Sequence, residues 1–161
     1  MTLRTGTFRF PEGVREVIGR RLDRLSEECN RLLITASLVG RECDFRLLGV
    51  LSRDTEEDRL FELLDEVLEA RVIDDVTGRQ ETYQFSHSLI QRAYADKLST
   101  SRKVRLHVRI GAASEELYAG DLAAHAAELA HHYAKAEPVT GQEKLVHYSL
   151  MAGEQALAKY A

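Results

Sequence analysis

The sequence predicts a mainly α-helical fold with one small β-hairpin. Over most of the 161 residues, apolar side chains recur at intervals of three and four, which is the period of an amphipathic helix. Two short runs, 72–76 and 83–86, instead have the composition of strands and flank a turn that contains Gly78. Helices followed by such a hairpin are in the order of a winged helix-turn-helix. The helices after it predict an antiparallel helical hairpin of the tetratricopeptide kind.

Capping residues divide the first half of the chain into elements. Pro11 suits the first turn of a leading helix, which we expect to end near residue 25. The apolar face of that helix comprises Val14, Val17, Ile18, Leu22 and Leu25. Ser26 is predicted to cap the next helix and Gly40 to end it. Asp44 is predicted to cap a short helix, and Thr55 to open a strongly amphipathic one that extends to about residue 71.

The second half is predicted to be entirely helical. Helices are expected at about 88–98, at 102–118, at 122–135 and from 143 to the end, with Ser101 and Asp121 as caps of the middle two. On the last two helices the residues expected to interlock are Leu129, Ala130, Tyr133, Tyr148, Ala152 and Ala156. One hairpin cannot bury both of its faces, so we expect the chain to be a fragment of a longer protein.

These patterns divide the chain into four segments. We expect a linker at 1–11, a winged-helix domain with its leading helix at 12–86, connecting helices at 87–120, and the start of tetratricopeptide-like repeats at 121–161.

Composition narrows the functional classes. No apolar run approaches the length of a membrane span and no signal-peptide core is present, so a cytoplasmic location and no membrane partner are expected. Cys29 and Cys43 lack metal-ligand or redox spacing and are predicted to be reduced, structural thiols. No G-x-x-x-x-G-K-[ST] loop and no catalytic constellation occur, so the chain is predicted not to be an enzyme.

A histidine at the junction between strand and helix is the main candidate site. Tyr83 and Phe85 alternate with polar residues, and a helical pattern begins directly after them. Ser86 is predicted to be the N-cap, which places His87 in the first turn among free backbone N–H groups, where an anion is favoured. A structural role, in which His87 bonds a neighbouring loop, is the alternative.

Several segments together resemble a group of bacterial signalling proteins. They are Phe10-Pro11-Glu12-Gly13-Val14-Arg15-Glu16-Val17-Ile18, Arg21-Leu22-Asp23-Arg24-Leu25, Ala36-Ser37-Leu38-Val39-Gly40-Arg41-Glu42, Phe85-Ser86-His87-Ser88-Leu89-Ile90 and Glu128-Leu129-Ala130-His131-His132-Tyr133. In this order they resemble the region after the ATPase domain in signal-transduction ATPases with numerous domains (the STAND class). The most similar members are the large LuxR-type transcriptional regulators and the adenylate cyclases that carry an ATPase and tetratricopeptide repeats.

The resemblance implies a regulatory role for His87. In the STAND class the winged helix folds back on the ATPase domain, and a histidine after its last strand contacts the phosphates of bound ADP. His87 occupies the matching place, whereas Ser86 and Ser88 replace the methionine and aspartate of the Met-His-Asp motif found in apoptotic and plant-immunity relatives. ATP or ADP is therefore implied for a full-length ATPase, with no cofactor in this fragment.

Direct DNA binding is the rival for a winged helix, and charge argues against it. Net charge is −4 overall, but residues 54–75 alone have ten acidic and two basic side chains, a net charge of −8. That block includes the helix that would enter the major groove, where phosphates require positive charge. A wing with only Arg79, beside Glu81, does not compensate. We expect no direct nucleic-acid partner.

Two further groups of side chains have two interpretations each. Arg102, Arg105 and Arg109 share a helix face, either as a solvated surface or as a docking stripe for the ATPase domain or for the acidic helix of a neighbouring molecule. His125, His131 and His132 suggest zinc, but their spacing does not converge on one helix face, so no metal site is predicted.

The sequence thus predicts a non-catalytic regulatory module that couples the nucleotide state of a preceding ATPase domain to a helical-repeat sensor. Its expected partners are that ATPase domain, in the same chain, and a protein or small molecule on the repeats. A protein-interaction scaffold is the alternative function, and a DNA-binding winged helix is the weaker one.

Overall fold

The computed structural model describes residues 19–160. The predicted linker at 1–11, and most of the leading helix with Pro11, Val14, Val17 and Ile18, lie outside these residues. Residues 19–22 are helical. The helices that follow are α1 Glu27–Val39, α2 Phe45–Leu51, α3 Glu57–Glu69, α4 Ser88–Ala95, α5 Thr100–Leu117, α6 Ala126–Thr140 and α7 Glu143–Tyr160. The strands are β1 Glu42–Asp44, β2 Ile73–Asp75 and β3 Thr82–Phe85.

The described chain is mainly helical with one small antiparallel sheet, which confirms the predicted fold class at this level. Its three strands lie in the order β1-β3-β2. Among the described helices, none is both long enough and apolar enough to cross a bilayer.

Local capping signals predict the first helices well. The Ser26 Oγ accepts a hydrogen bond of 3.2 Å from the Cys29 amide at the start of α1, and Gly40 ends that helix with a φ of 154°. The Asp44 carboxylate accepts from the Arg46 amide at 2.7 Å and starts α2. In α3 the N-cap is Glu56 rather than Thr55, and it makes no side-chain capping bond.

The sheet has one strand more than the predicted hairpin. Strands β2 and β3 form the expected antiparallel pair, with Asp74 opposite Gln84. Strand β1, which the sequence analysis missed, pairs with the other edge of β3 and places Cys43 opposite Tyr83. Three residues are too few to show the alternation of a strand, and β1 is recognised as a strand only through its pairing with β3.

The largest core lies between α1, α3, α4 and the inner face of the sheet. It contains Leu25, Cys29, Leu32, Leu33, Ala36, Cys43, Phe45, Leu48, Leu60, Leu63, Leu64, Val67, Val72, Ile73, Tyr83, Phe85, Ile90 and Tyr94. Both cysteines are buried free thiols, and burial raises the pKa of Cys29 to about 11 and that of Cys43 to about 12. Both cysteines are therefore packing residues of the core, as predicted.

Helices α5, α6 and α7 form the second half, with boundaries that differ from the prediction. Helix α5 begins after Ser99 rather than Ser101. Asp121 accepts from the Ala124 amide at 3.3 Å and caps a turn, so α6 begins only at Ala126. Helix α6 continues through Pro138 to Thr140. The proline has no N–H, so one carbonyl of the preceding turn loses its partner, and the helix tolerates this loss because its last turns are exposed to solvent.

Aromatic stacking joins α6 to α7. The rings of Tyr133 and Tyr148 lie parallel, with centroids 5.7 Å apart, and share a core with Leu129 and Ala136. This part of the predicted interlock is confirmed. Ala156 is exposed, so the expectation that it packs in this interface was wrong; the contact ends nearer the start of α7.

The contact between α5 and α6 requires a glycine. A Cβ on Gly111 would lie 2.9 Å from the Tyr133 Cζ, closer than real Cβ atoms approach other atoms. The Tyr133 ring is 1 % exposed and therefore has no free space into which it can move. Gly111 thus allows the close approach of these two helices.

Candidate functional site

His87 is an exposed residue at the start of α4. It follows β3 directly, but it is the N-cap of the helix rather than part of its first turn, with φ −141° and ψ 135°. The prediction that Ser86 would be the cap was wrong, because the Ser86 Oγ donates to the Arg71 carbonyl at 3.0 Å and so faces the preceding loop. The imidazole makes no capping bond, and no other described side chain is bonded to it. His87 can therefore donate to an external acceptor.

The helix that carries His87 is fixed to α1 by polar contacts. The Gln91 Nε2 donates to the carbonyls of Ser37 at 3.0 Å and Gly40 at 2.9 Å, where α1 ends. In the first turn of α1, the Asn30 Oδ1 accepts from the buried Tyr94 hydroxyl at 2.9 Å. These bonds span 51 to 64 residues of sequence, so His87 is presented by a rigid element rather than by a loop.

The exposed face of α3 is acidic. It displays Glu57, Asp58, Glu62, Asp65 and Glu69 to solvent. Arg59 is the one cation on this helix, and it is already bonded to Glu28 and, at 2.7 Å, to Glu62. On the β2–β3 turn, Arg79 donates to Glu42 at 2.5 Å. Arg59 of the helix and Arg79 of the turn are thus committed to carboxylates of the same chain.

The predicted arginine stripe is exposed along α5 and is joined by a residue of α1. Arg102, Arg105 and Arg109 line a groove of about 400 Å³ together with Arg31. The Arg109 Nη2 donates to the Leu51 carbonyl at 2.8 Å, which anchors one end of the stripe. Sequence reasoning missed Arg31 because periodicity relates residues of one helix and does not indicate which neighbouring helix faces them.

A buried histidine pair lies between α5 and α6, and it too was missed. The Nδ1 atoms of His107 and His132 are 3.0 Å apart, and the two residues are 7 % and 3 % exposed. With both rings neutral, one Nδ1 donates and the other accepts. No local signal connects two histidines 25 residues apart, and His107 was not among the candidate ligands.

Burial controls the protonation of this pair. It lowers the pKa of His107 to about 4, with smaller contributions from the charges of His131, Lys135 and Lys103. Burial likewise lowers the pKa of His132 to about 4, and the backbone of Val39, which favours the protonated ring, does not offset it.

The histidines of the zinc hypothesis do not converge. His125 stacks on Tyr118 with ring centroids 3.7 Å apart, whereas the rings of His131 and His132 are 5.4 Å apart and lie beside His107. Across residues 19–160, no three potential ligands are arranged to hold a metal ion.

Comparison with known proteins adds no family to this description. No protein-family model matches the chain, and neither curated proteins nor solved structures give a significant match.

Proposed function

We propose that this chain is a regulatory segment of a STAND-class signalling protein, in which it follows an ATPase domain and holds that domain closed when ADP is bound. The observation that carries the proposal is the position of His87. The residue is exposed, directly follows β3, and stands at the start of a helix that Gln91 and Tyr94 fix to α1. A rigidly mounted imidazole with a free N–H suits recognition of a phosphate oxygen.

The arrangement of elements supports a winged-helix assignment for the first part. Helices α1, α2 and α3 precede the β2–β3 hairpin, and β1 adds the third strand between α1 and α2. A winged helix has this order of helices and strands. The proposal places α3 in the position of its recognition helix and the turn between β2 and β3 in the position of its wing.

The second part supports a tetratricopeptide-like assignment. Helices α6 and α7 pack closely through Tyr133 and Tyr148, with Ala136 between larger neighbours. In the proposed protein this hairpin begins the helical repeats that receive a protein or small-molecule input.

The N-terminal end of α4 fits a phosphate group. The first backbone N–H groups of a helix lack acceptors within that helix and lie at the positive end of its dipole. His87 adds a side-chain donor at the same end, and the exposed Ser88 adds a hydroxyl. We infer that these groups bind the ADP phosphates presented by the ATPase domain, and that exchange for ATP releases the segment and moves α4 relative to that domain.

The acidic surface of α3 disfavours direct DNA binding. Phosphate neutralisation supplies most of the affinity of DNA-binding proteins, and the exposed carboxylates of α3 would repel a duplex. A DNA output in the proposed protein would then belong to another domain.

A protein-interaction scaffold is the second candidate, and one observation favours it. Helix α7 exposes Val146, Leu150, Leu157 and Tyr160, whose exposed fractions are 53 %, 65 %, 74 % and 92 %. Their spacing places them along one side of the helix, which suits packing against a further helix. A scaffold of this kind would not depend on His87.

The test compares ADP release from variants of the full-length protein. Sequencing the reading frame upstream of Met1 comes first, because the proposal requires a phosphate-binding loop in that region. His87→Asn retains an N-cap residue but removes the imidazole, and His147→Asn changes an exposed histidine of α7 as the matched control. Stopped-flow displacement of a fluorescent ADP analogue then measures the dissociation rate.

We expect faster ADP release and higher basal output from His87→Asn, with His147→Asn unchanged. Removing one charge-assisted hydrogen bond of about 1.5–3 kcal/mol corresponds to an increase of roughly tenfold or more in the release rate. Equal release rates in all three proteins would reject nucleotide sensing by His87 and favour the scaffold.

A further inference from the structure

We infer that the arginine groove between α1 and α5 binds the acidic face of α3 from a second copy of this chain, in a head-to-tail contact. The arginine groove is defined by Arg31, Arg102, Arg105 and Arg109. The acidic face is defined by Asp58, Glu62, Asp65 and Glu69. This inference is independent of the nucleotide-sensing proposal.

Positive charge is concentrated in the groove. Four exposed guanidinium groups line about 400 Å³ of space, and no carboxylate lines it. In the part of the chain that the structure describes, no carboxylate is paired with Arg31, Arg102 or Arg105. Arginines held this close repel one another, so an anionic partner would relieve the repulsion as well as form new bonds.

The same chain displays a surface of complementary charge on α3. Asp58 and Asp65 of α3 are exposed and, within residues 19–160, have no cation as a partner. The excess negative charge of residues 54–75 is therefore not neutralised within the described chain, and neither is the positive charge of the groove. Two copies can neutralise both surfaces at once.

The spacing of the arginines along α5 matches the spacing of the carboxylates along α3. From Arg109 to Arg105 to Arg102 the separations are four and three residues. The same separations relate Asp58 to Glu62 to Asp65, so two antiparallel helices would bring the two sets opposite each other over about 10 Å. Arginine, rather than lysine, suits such contacts because its planar fork binds a carboxylate through two hydrogen bonds.

The geometry also predicts how the assembly grows. The two surfaces belong to different elements, so after two copies pair, one copy retains an unused groove and the other retains an unused acidic face. Such a heterologous contact forms open chains or rings rather than a closed two-fold dimer.

A test by charge reversal uses two variants of the 161-residue chain. Arg102→Glu/Arg105→Glu destroys the groove and leaves the acidic face intact. Asp58→Arg/Asp65→Arg destroys the acidic face and leaves the groove intact. Glu143→Arg/Glu154→Arg, on exposed positions of α7, is the control because it changes net charge as much as the second variant does.

Sedimentation velocity at low salt then measures the assembled mass. We expect the wild type and the α7 control to associate beyond the dimer, and each groove or face variant to remain monomeric. An equimolar mixture of the two monomeric variants should associate again, because the intact groove of one meets the intact acidic face of the other, and the reversed groove and the reversed face also have opposite charges. Raising the salt from about 0.01 M to about 1 M shortens the Debye length from about 30 Å to about 3 Å and should dissociate all of these species.

Several results would overturn the inference. A wild-type chain that stays monomeric at low salt rejects it, as does association that survives both charge reversals. A mixture of the two variants that stays monomeric contradicts the pairing of the groove with the acidic face. Retention of duplex DNA by the wild type, lost in Arg102→Glu/Arg105→Glu, would instead assign the groove to nucleic acid.

Discussion

Acidification is expected to loosen the junction between α5 and α6, because the His107–His132 pair is stable only when it is neutral. The two Nδ1 atoms are 3.0 Å apart in a buried contact, which one donor and one acceptor satisfy. Two protonated rings would place two N–H donors against each other and bury two positive charges. Both pKa values are lowered in the folded state, so the unfolded chain binds protons more readily. The contribution to stability is complete above pH 6.5 and falls as the pH approaches 4.

The size of the effect follows from the pKa values. For a group with a pKa of about 4 when folded and 6.5 when unfolded, the loss of stability between pH 7.5 and pH 5 is about 2 kcal/mol. The pair therefore loses about 4 kcal/mol, against a total stability of about 5–15 kcal/mol for a typical domain. The pKa values of Glu66 and Glu115 are lowered below their usual 4.5, so these carboxylates contribute only at lower pH.

Urea unfolding followed by circular dichroism at pH 7.5, 6 and 5 measures this loss, and two variants isolate its source. His107→Asn keeps a side chain that can donate or accept but does not titrate, and it should reduce the pH dependence to about half or less. His147→Asn changes an exposed histidine and should leave the wild-type pH dependence in place. A wild-type unfolding free energy that is equal at pH 7.5 and pH 5 would show that the neutral pair does not stabilise this junction, as would a His107→Asn curve that parallels the wild type.

Two further substitutions test the packing described above. Gly111→Ala should lower the unfolding free energy by about 1 kcal/mol or more, because overpacking against Tyr133 costs about 1–3 kcal/mol and exceeds the gain in helix propensity. Gly153→Ala is the control, since a Cβ at that position meets nothing within 4 Å. It should raise the unfolding free energy by up to about 1 kcal/mol. Equal effects of the two alanines in thermal melts would contradict the close approach of α5 and α6. Tyr94→Phe should lower the unfolding free energy by about 1–3 kcal/mol, because it leaves the Asn30 Oδ1 without its donor. Hydrogen exchange should then show faster opening of α4. Unchanged protection of the α4 amides would show that this bond does not fix the helix.

Much of the helical part was predictable because its signals are local. Ser26, Gly40 and Asp44 act within a few residues of their own positions, and all three end or begin helices as predicted. The amphipathic face of α3 likewise follows from periodicity alone, since Leu60, Leu63, Leu64 and Val67 are all buried.

The predictions that were wrong or incomplete concern residues whose local pattern is overridden by a contact with a distant element. Ser86 has the chemistry of an N-cap, but the Arg71 carbonyl receives its hydroxyl, so the helix begins one residue later with His87 as the cap. Strand β1 is too short to be recognised and exists only through its pairing with β3. Both outcomes depend on contacts that span 15 residues or more.

The order of residues is enough to predict the helical class, the β2–β3 hairpin, the acidic character of α3 and the arginines of α5. These properties depend on residue type and on spacings within one element, which the order of residues specifies directly. Helix packing, in contrast, brings Arg31 into the same groove as Arg105 and places His107 against His132 in the interior. Such pairs lie on different helices, so their proximity is set by how the cores pack and not by any period in the chain.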